Sequence, residues 1–432
     1  MSWQAAALLL GGGVMFLMAL GTPVVIAFLT VNLIGAVVFM GGLGGIDQLI
    51  ANATSSITSF ALVPVPLFIL MGELLFHTGM AVRVFDALDK ILGAIRARLA
   101  YLTVIGGTIF ATLSGSSIAN TAMLGSTLMP DMEKRGYKKS LIMGPIIATG
   151  SIAMIIPPSS LAVLLGSLAK IDVGALLLAG VVPGIILSVM YLAVIRLHVW
   201  IDPEAAPPVS PVSVPTREKA LAMLRDVAPM GLVIFAVIGL IILGVASPTE
   251  SAAFGVLAVA ILALFYGKLR WPAVEKALWG TLSVSVMMLV IILASSTFSQ
   301  LLAFSGASAG LVAWMAGFEL GPHATLLAML AVLVLLGMFM DQLSIMMLTL
   351  PIFMPLIAMQ GIDPLQFGII MLLALELSLA TPPFGLLLFV MLGVAPKGTS
   401  IWEVVRACLP YLACTLVLIL TLIWLPGLII WQ

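Results

Sequence analysis

Polar and helix-breaking residues interrupt the apolar segments of this sequence at two places. The first group lies within residues 114–159 and consists of Ser114, Gly115, Ser116, Ser117, Asn120, Thr121, Gly150, Ser151, Pro157, Pro158 and Ser159. The second group lies within residues 341–383 and consists of Asp341, Ser344, Glu376, Ser378, Thr381, Pro382 and Pro383. Hydroxyl, amide and carboxylate oxygens, together with the backbone carbonyls of a broken helix, suit a hard cation such as sodium. We therefore expect both groups to form a site for such a cation and a substrate, and we expect no transition-metal site.

The proline pairs force helices to end inside apolar segments. Pro158 has no N–H group, and Pro157 is kept out of the α region by the proline that follows it. Broken backbone is tolerated at membrane depth only where it is buried in protein or lines a water-filled cavity. Helices that restart near Ser117 and Ser159 would direct their N–H groups and positive dipole ends at an anion. The breaks therefore predict a transport site of the kind that secondary transporters build from interrupted helices.

The composition is that of a membrane protein. Of the 432 residues, 62% are hydrophobic and 8% are charged, and the mean hydropathy is +1.27. Because a spanning helix needs about 20 apolar residues, the apolar segments leave room for about 11–13 transmembrane elements. The 18 basic and 18 acidic residues balance, which does not favour nucleic-acid binding. We therefore expect an all-α, multi-pass protein of the lipid bilayer that needs no cofactor and binds no nucleic acid.

The two halves of the chain share a pattern of prolines and glycines. A shift of 225 residues aligns identical residue types of the two halves: Pro23 with Pro248, Pro130 with Pro355, Gly136 with Gly361, and Pro157-Pro158 with Pro382-Pro383. A stretch rich in proline and serine, residues 201–225, lies between the halves. We therefore expect an N-terminal repeat at 1–200 and a C-terminal repeat at 226–432, each with one interrupted region. The shift alone is compatible with both parallel and inverted repeats.

Several motifs occur in an order that resembles one family of transport proteins. The first half contains SGSSIANTAMLGS, MPDMEKRGY, ATGSIAMIIPPS and AGVVPGI in succession. They are preceded by PLFILMGELL at 66–75, and LATPPFGLLLFV follows in the second half at 379–390. This succession resembles the large membrane subunit of tripartite ATP-independent periplasmic (TRAP) transporters, and the resemblance extends over most of the chain.

The resemblance to TRAP transporters carries its own expectations. It implies an elevator-type architecture of the ion-transporter superfamily, with two inverted repeats and two re-entrant hairpins. It implies sodium-coupled import of a small organic acid, such as a C4-dicarboxylate. It also implies two protein partners, a small four-helix (Q-type) membrane subunit and a periplasmic solute-binding protein that delivers the substrate. The expected location is the bacterial inner membrane.

Structural roles compete with this interpretation at individual residues. Small residues also permit close packing of helices in membranes. Asp341 and Glu376 flank the second break, and we expect them to help neutralise sodium, because buried acids in membrane segments are costly. We expect structural roles for Glu73 and Glu250, and a packed or interfacial position for His77. None of the residues in the two polar groups is arginine. Backbone dipoles and hydroxyls, or a basic residue elsewhere, would therefore hold the substrate carboxylate.

Other functions explain fewer of these features. A stand-alone sodium/carboxylate symporter would share the hairpins but would need no partner subunits. An intramembrane hydrolase using a serine of the SGSS stretch would need a positioned general base. All three histidines, His77, His198 and His323, lie outside the broken motifs. A simple channel does not account for two matched breaks, so we expect a transporter and not an enzyme.

Overall fold

The protein is helical throughout the part that the structure describes. The computed structural model describes residues 1–208, 215–383 and 385–429, and no strand occurs among them. The helices of the first half are α1 (Trp3–Ala19), α2 (Val24–Phe39), α3 (Leu43–Ile57), α4 (Pro64–His77), α5 (Met80–Leu92), α6 (Arg98–Ser114), α7 (Ser117–Lys134), α8 (Lys139–Ile152), α9 (Ser160–Ala169) and α10 (Val173–Ile201). Those of the second half are α11 (Thr216–Ile242), α12 (Pro248–Phe265), α13 (Trp271–Phe304), α14 (Ala307–Ala316), α15 (Pro322–Gly337), α16 (Gln342–Gln360), α17 (Pro364–Leu379), α18 (Leu386–Val394) and α19 (Ile401–Trp424). The expected all-α fold class is confirmed.

The helices divide into full-length spans and shorter apolar pieces. Within the described residues, six helices are long and apolar enough to cross a membrane, namely α10, α11, α12, α13, α16 and α19. Residues 64–77 and 82–92 form a bent pair with a 68° angle, which makes seven if the pair is one span. Eight further apolar helices in the described part of the chain are shorter, with fewer than the about 20 residues of a full crossing. The chain is therefore a multi-pass membrane protein in which many of the expected apolar elements are too short to cross completely.

Both proline pairs interrupt helices, as the sequence predicts. In the first half, α8 ends at Ile152 and α9 begins at Ser160. In the second half, α17 ends at Leu379 and α18 begins at Leu386. The peptide bond within each proline pair is cis. The first of these connecting segments, residues 153–159, is buried along its whole length, so its free backbone groups lie inside the protein.

The helices pack in two groups. In the first group, α4 packs against α12 and α13, and α13 also contacts α2 and α3. In the second group, α8 packs against α6, α7 and α19, while α17 packs against α10, α15 and α19. Helices α8 and α17 are buried almost along their entire lengths, which suits helices that are apolar on every side. The two groups meet where α4 contacts α6 and α9, and where α13 contacts α16.

The proline-rich stretch between the halves, residues 201–225, is partly helical. Helix α10 ends at Ile201, and α11 begins at Thr216, so residues 216–225 of the expected linker are helical. Residues 209–214 of that linker lie outside the described residues. An ion pair of 2.7 Å joins Lys138, in the turn before α8, to Asp202, just after α10. This contact ties the end of α10 to the turn between α7 and α8.

Candidate functional site

The first break is built by a glycine in a left-handed conformation and a capping serine. Gly115 follows the last residue of α6 and has a φ of 58°, a conformation that favours glycine because it has no Cβ. Ser116 then caps α7, accepting a hydrogen bond of 3.3 Å from the N–H of Ala119. Ser114 ends α6, and its side chain lies outside the described part of the structure. The predicted motif therefore stops one helix and starts the next within three residues.

The proline break starts a helix in the same way and meets the first break. Ser159 is fully buried and caps α9, accepting a hydrogen bond of 3.1 Å from the N–H of Ala162. The hydroxyl of Ser160 donates to the carbonyl oxygen of Gly115 at 3.4 Å. A Cβ atom on Gly115 would lie 3.5 Å from the carbonyl oxygen of Pro158. The two breaks of the first half therefore touch, and the first turns of α7 and α9 lie side by side.

A cavity of about 370 Å³ opens beside these two helix starts. One wall consists of Gly115, Ser116, Ser117 and the first residues of α7 and α9, together with Gln342 at the start of α16. The other wall belongs to α4 and α13. The cavity thus lies at the boundary between the two helix groups, with helix N-termini facing it. Its volume falls in the range of about 300–1,000 Å³ that is usual for small-molecule sites.

A buried carboxylate connects the two halves next to this cavity. Glu376, on α17, is completely buried, and its Oε1 accepts hydrogen bonds of 2.6 Å from the Ser117 hydroxyl and 2.5 Å from the Gln342 amide. Its Oε2 has no hydrogen-bond partner in the described part of the chain. Within the same residues, no ion pair involves Glu376. A buried carboxylate with a free oxygen and no basic partner is suited to a cation or a proton.

Further polar atoms without partners lie one turn deeper along α7. Asn120 and Thr121 are fully buried. Neither atom of the Asn120 amide nor the Thr121 hydroxyl has a hydrogen-bond partner among the described residues. A Cβ atom on Gly150 would lie 2.8 Å from the Thr121 hydroxyl oxygen, so glycine allows α8 to approach α7 closely. Asn120 and Thr121 follow Ser117 by three and four residues, which places them on its side of the helix.

Comparison with known proteins identifies the family. A family model for the DctM component of tripartite ATP-independent periplasmic transporters matches residues 12–428. The chain belongs to the DctM family of TRAP transporter large permeases. The resemblance inferred from the motifs is therefore confirmed over nearly the whole chain.

Relatives of this DctM-family permease differ in their described substrates. The C4-dicarboxylate TRAP transporter large permease protein DctM of Pseudomonas aeruginosa is 34% identical over 370 residues, which cover 85% of each chain. The ectoine/5-hydroxyectoine permease UehC of Ruegeria pomeroyi is 28% identical over 416 residues, covering 95% of this chain and 94% of that protein. The isethionate permease DctMQ of Oleidesulfovibrio alaskensis is 29% identical over 415 residues, covering 95% of this chain and 64% of that protein. The family is thus shared by permeases described for chemically different solutes.

Solved structures of other transporters share the fold. The YdaH transporter of Alcanivorax borkumensis superposes with a TM-score of 0.66 at 14% sequence identity, covering 89% of this chain and 90% of that chain. MtrF of Neisseria gonorrhoeae gives a TM-score of 0.59 at 15% identity, covering 89% of this chain and 84% of that chain. At these identities the likeness concerns the fold alone.

In the second half of the permease, Asp341 acts as a helix cap. Its carboxylate accepts hydrogen bonds of 3.1 Å from the N–H of Leu343 and 3.3 Å from that of Ser344, and also accepts from the Ser344 hydroxyl. These contacts start α16, whose first residues Gln342 and Leu343 line the cavity. Asp341 therefore has a structural task at the edge of the site, while Ser344 is buried beneath it.

The remaining predicted residues do not line the cavity. The hydroxyls of Ser378 and Thr381 donate to carbonyl oxygens of α17, those of Leu375 and Leu377, each at 2.7 Å. Ser378 also packs against α15, because a Cβ atom on Gly337 would lie 2.0 Å from its side chain. Gly150 and Ser151 lie near the end of α8. Both proline pairs, Pro157-Pro158 and Pro382-Pro383, lie in the connections between helices.

Three features of the site are not anticipated from the sequence. Gln342 completes the contacts of Glu376, and Glu73 lines the cavity although a structural role is expected for it. A Cβ atom on Gly180 of α10 would lie 2.1 Å from the carbonyl oxygen of Ile155, so this glycine seats the broken segment. The Gly-x-x-x-Gly spacing of Gly180 and Gly184 is the signal that could have found it.

Proposed function

We propose that this permease is the transport subunit of a sodium-driven importer and carries a small organic acid through the cavity between its two helix groups. The observation that carries the proposal is that the first turns of α7 and α9 line one cavity together. Both turns begin at a capping serine, Ser116 or Ser159. Their N–H groups and dipoles favour an anion without the cost of a buried basic side chain. The substrate carboxylate would bind at this wall.

The coupling ion would bind deeper, along α7. Ser117, Asn120, Thr121 and Glu376 supply the neutral oxygens and the one carboxylate that a sodium ion needs. The unpartnered Oε2 of Glu376 and the unpartnered groups of Asn120 and Thr121 support this assignment. Asp341 and the hydroxyl residues of the second break would hold the ion site in shape by capping and anchoring their helices. No cofactor takes part, and the protein catalyses no covalent reaction.

Transport would proceed by movement of one helix group against the other. The group containing α6–α10 and α15–α19 would carry the site, and the group built on α4, α12 and α13 would stay fixed. The helices that flank the breaks occur at corresponding positions of the halves, since Ser117–Lys134 and Gln342–Gln360 begin 225 residues apart. We assign them to two inverted repeats, each with one re-entrant hairpin.

The permease would work in the bacterial inner membrane with two partners. Membership of the TRAP family implies a small membrane subunit of the Q type and a periplasmic solute-binding protein. The relatives DctM, UehC and DctMQ are described for C4-dicarboxylates, ectoines and isethionate. All of these are small polar solutes with an acidic group. A small organic acid is therefore the substrate class that we assign to the whole assembly.

Uptake into proteoliposomes tests this proposal. Labelled organic acids would be offered with and without an inward sodium gradient, the small membrane subunit and the binding protein. We expect import only when all three are present. Import by this chain alone would indicate a stand-alone sodium/carboxylate symporter instead. The absence of import of any acid from a broad panel, with the complete assembly and a sodium gradient, would contradict the proposal.

A further inference from the structure

A pocket away from the transport site lies where α5, α7 and α10 end. Its volume is about 210 Å³. It is lined by the segment that joins α5 to α6, by Arg98 at the start of α6, by Arg135 and Tyr137 in the turn between α7 and α8, and by Pro207 and Pro208 after α10. None of the described residues that line it is aspartate or glutamate. This arginine pocket therefore presents basic but no acidic side chains.

The two guanidinium groups of the arginine pocket come from different parts of the chain. Arg98 contacts Oδ1 of Asp89 at 2.9 Å and donates to the carbonyl oxygen of Gly93 at 3.3 Å. Arg135 pairs with Asp131 at 2.9 Å. Because a guanidinium group has five N–H donors, both arginines keep donors for a ligand.

A hydroxyl and an ammonium group lie beside the two arginines. Tyr137 is 8% exposed, and its hydroxyl accepts a hydrogen bond of 3.3 Å from the N–H of Leu99. The hydroxyl hydrogen can therefore donate to a ligand. Nζ of Lys219, on α11, would lie 2.8 Å from a Cβ atom on Gly93, which lines the pocket. Lysine and the two arginines are three basic groups against the two acids that pair with the arginines, which leaves an excess of positive charge.

This arrangement suits a phosphate group better than a carboxylate. A carboxylate offers two coplanar oxygens, which match the fork of a single guanidinium group. A tetrahedral phosphate group offers oxygens in several directions, so it can accept from donors on different walls. Arg98, Arg135 and Tyr137 supply such donors from two separate elements. Hydrogen bonds between ionised partners are also the stronger ones.

The arginine pocket lies between two connections that join the proposed moving helix group to the rest of the chain. Residues 93–97 join α5 to α6, and the segment after α10 leads towards α11. The two connections touch, because Arg96 donates a hydrogen bond to the carbonyl oxygen of Pro203. A ligand in the pocket would contact both connections and the turn between α7 and α8. It would therefore hold together segments that must change their relative positions when the group moves.

We propose that the arginine pocket binds a phosphate group and that the bound group slows transport. Import requires the moving group to visit two positions, and a ligand that binds one position more tightly shifts the population towards it. Lysine and arginine are concentrated around the pocket, at residues 83–98, 134–139 and 196–225, which indicates that this face is cytoplasmic. The phosphate belongs either to a free cytoplasmic anion or to the headgroup of an anionic lipid. The binding site is independent of the proposed function, whereas the effect on import rests on it.

Binding is measured on the purified full-length chain in a maltoside detergent, which contains no phosphate. Radiolabelled inorganic phosphate is the probe, and chloride keeps the ionic strength constant. We expect Arg135→Gln to weaken binding at least about tenfold. Arg135 is 46% exposed, so its replacement should leave the fold intact, and Arg135→Lys, which keeps the charge but loses the fork, should bind with intermediate affinity. Arg217→Gln is the matched control and should bind as wild type does, because Arg217 is exposed and does not line the pocket.

A second arm with phosphatidylglycerol as the probe distinguishes the two sources of the phosphate group. Binding of inorganic phosphate that depends on Arg135 supports a site for a free anion. Binding of phosphatidylglycerol alone, with the same dependence, supports a site for a lipid headgroup. Binding of neither probe, or equal binding by wild type and Arg135→Gln, would overturn the proposal.

The effect on import is measured in proteoliposomes that contain the complete assembly and the probe that binds. Inorganic phosphate is enclosed in the vesicles, or phosphatidylglycerol is added to their bilayer. We expect import of an accepted organic acid to slow at least about fivefold in wild type and to change little in Arg135→Gln. Unchanged import in wild type would overturn the regulatory role. Failure to import any acid without a probe would remove the transport proposal and the regulatory role, and the binding result would still decide the site.

Discussion

The hydroxyl of Ser117 donates a hydrogen bond of 2.6 Å to Oε1 of Glu376, although 259 residues separate the two positions. The contact joins the start of α7 in the first half to α17 in the second. Gln342 adds a second donor at 2.5 Å. Hydrogen bonds to a charged group contribute about 1.5–3 kcal/mol each. Glu376 therefore connects the two halves through Ser117, and both residues that donate to it line the cavity.

Replacing Glu376 by glutamine should weaken the binding of the coupling ion more than it lowers the stability of the fold. The glutamine oxygen can still accept from Ser117 and Gln342, but the side chain loses its charge and exchanges a free acceptor for an amide donor. We expect Glu376→Gln to raise the sodium concentration for half-maximal uptake at least about tenfold. Uptake as a function of sodium concentration measures this, with Glu275→Gln as the control, because Glu275 is an exposed acid on α13. A titration identical to wild type would place the sodium ion elsewhere.

A methyl group at position 180 should displace the broken segment. The Cβ atom of Gly180→Ala would lie 2.1 Å from the carbonyl oxygen of Ile155, and backbone cannot move aside as a flexible side chain can. We expect a loss of about 1–3 kcal/mol in stability, together with reduced uptake. Thermal unfolding of the purified protein measures the first effect. Gly231→Ala is the matched control, because no atom lies within 4 Å of its Cβ position; an equal loss in both variants would disprove the packing argument.

Asp341→Asn separates helix capping from ion binding. Asparagine caps helices about as well as aspartate, so stability should change by less than about 0.5 kcal/mol. The lost charge should nevertheless raise the sodium concentration needed for uptake. Asp363 caps α17 in the same manner, accepting from the N–H groups of Leu365 and Gln366 at 2.8 and 3.0 Å. Asp363→Asn should therefore leave the sodium titration unchanged. An unchanged titration in Asp341→Asn would show that Asp341 only caps its helix and does not contribute to ion binding.

The ion pair between Lys138 and Asp202 predicts a dependence of stability on acid pH. The hydrogen bond from Lys138 holds the pKa of the Asp202 carboxyl below its usual value. Its contribution is thus complete above the unfolded-state pKa of about 3.9 and is lost as the pH falls through the lower folded-state pKa. Thermal unfolding from neutral to strongly acidic pH should show a smaller acid-side decline in Asp202→Asn than in wild type. The effect should be small and should weaken with salt, because the pair is exposed.

Much of the fold follows from local chemistry that is visible in the chain. Pro158 cannot continue a helix, and the break between Ile152 and Ser160 lies where the proline pair predicts it. Ser116 and Ser159 cap helices because their hydroxyls reach the N–H groups three residues later. The number of helices that cross the membrane completely could not be predicted as well from the sequence, because the length of each helix depends on where the breaks occur.

The contacts of single side chains were harder to predict from the sequence than the positions at which helices are interrupted. Ser378 and Thr381 have the residue types of ion ligands, yet their hydroxyls donate to carbonyl oxygens of their own helix. Glu73 lies far from both broken motifs in the sequence and still lines the cavity. Helical periodicity predicts which residues share a face, but the neighbour of that face depends on how the helices pack.

The sequence by itself determined that this is a multi-pass helical membrane protein of the TRAP family with two interrupted regions, because hydropathy and proline chemistry act locally and the family motifs are contiguous. Only the tertiary structure decided that Ser117 meets Glu376, that Gln342 joins them, and that Glu73 faces the same cavity. Those relationships connect helices that are remote in the chain. They arise from the packing of whole helices, which brings side chains from distant parts of the sequence into contact.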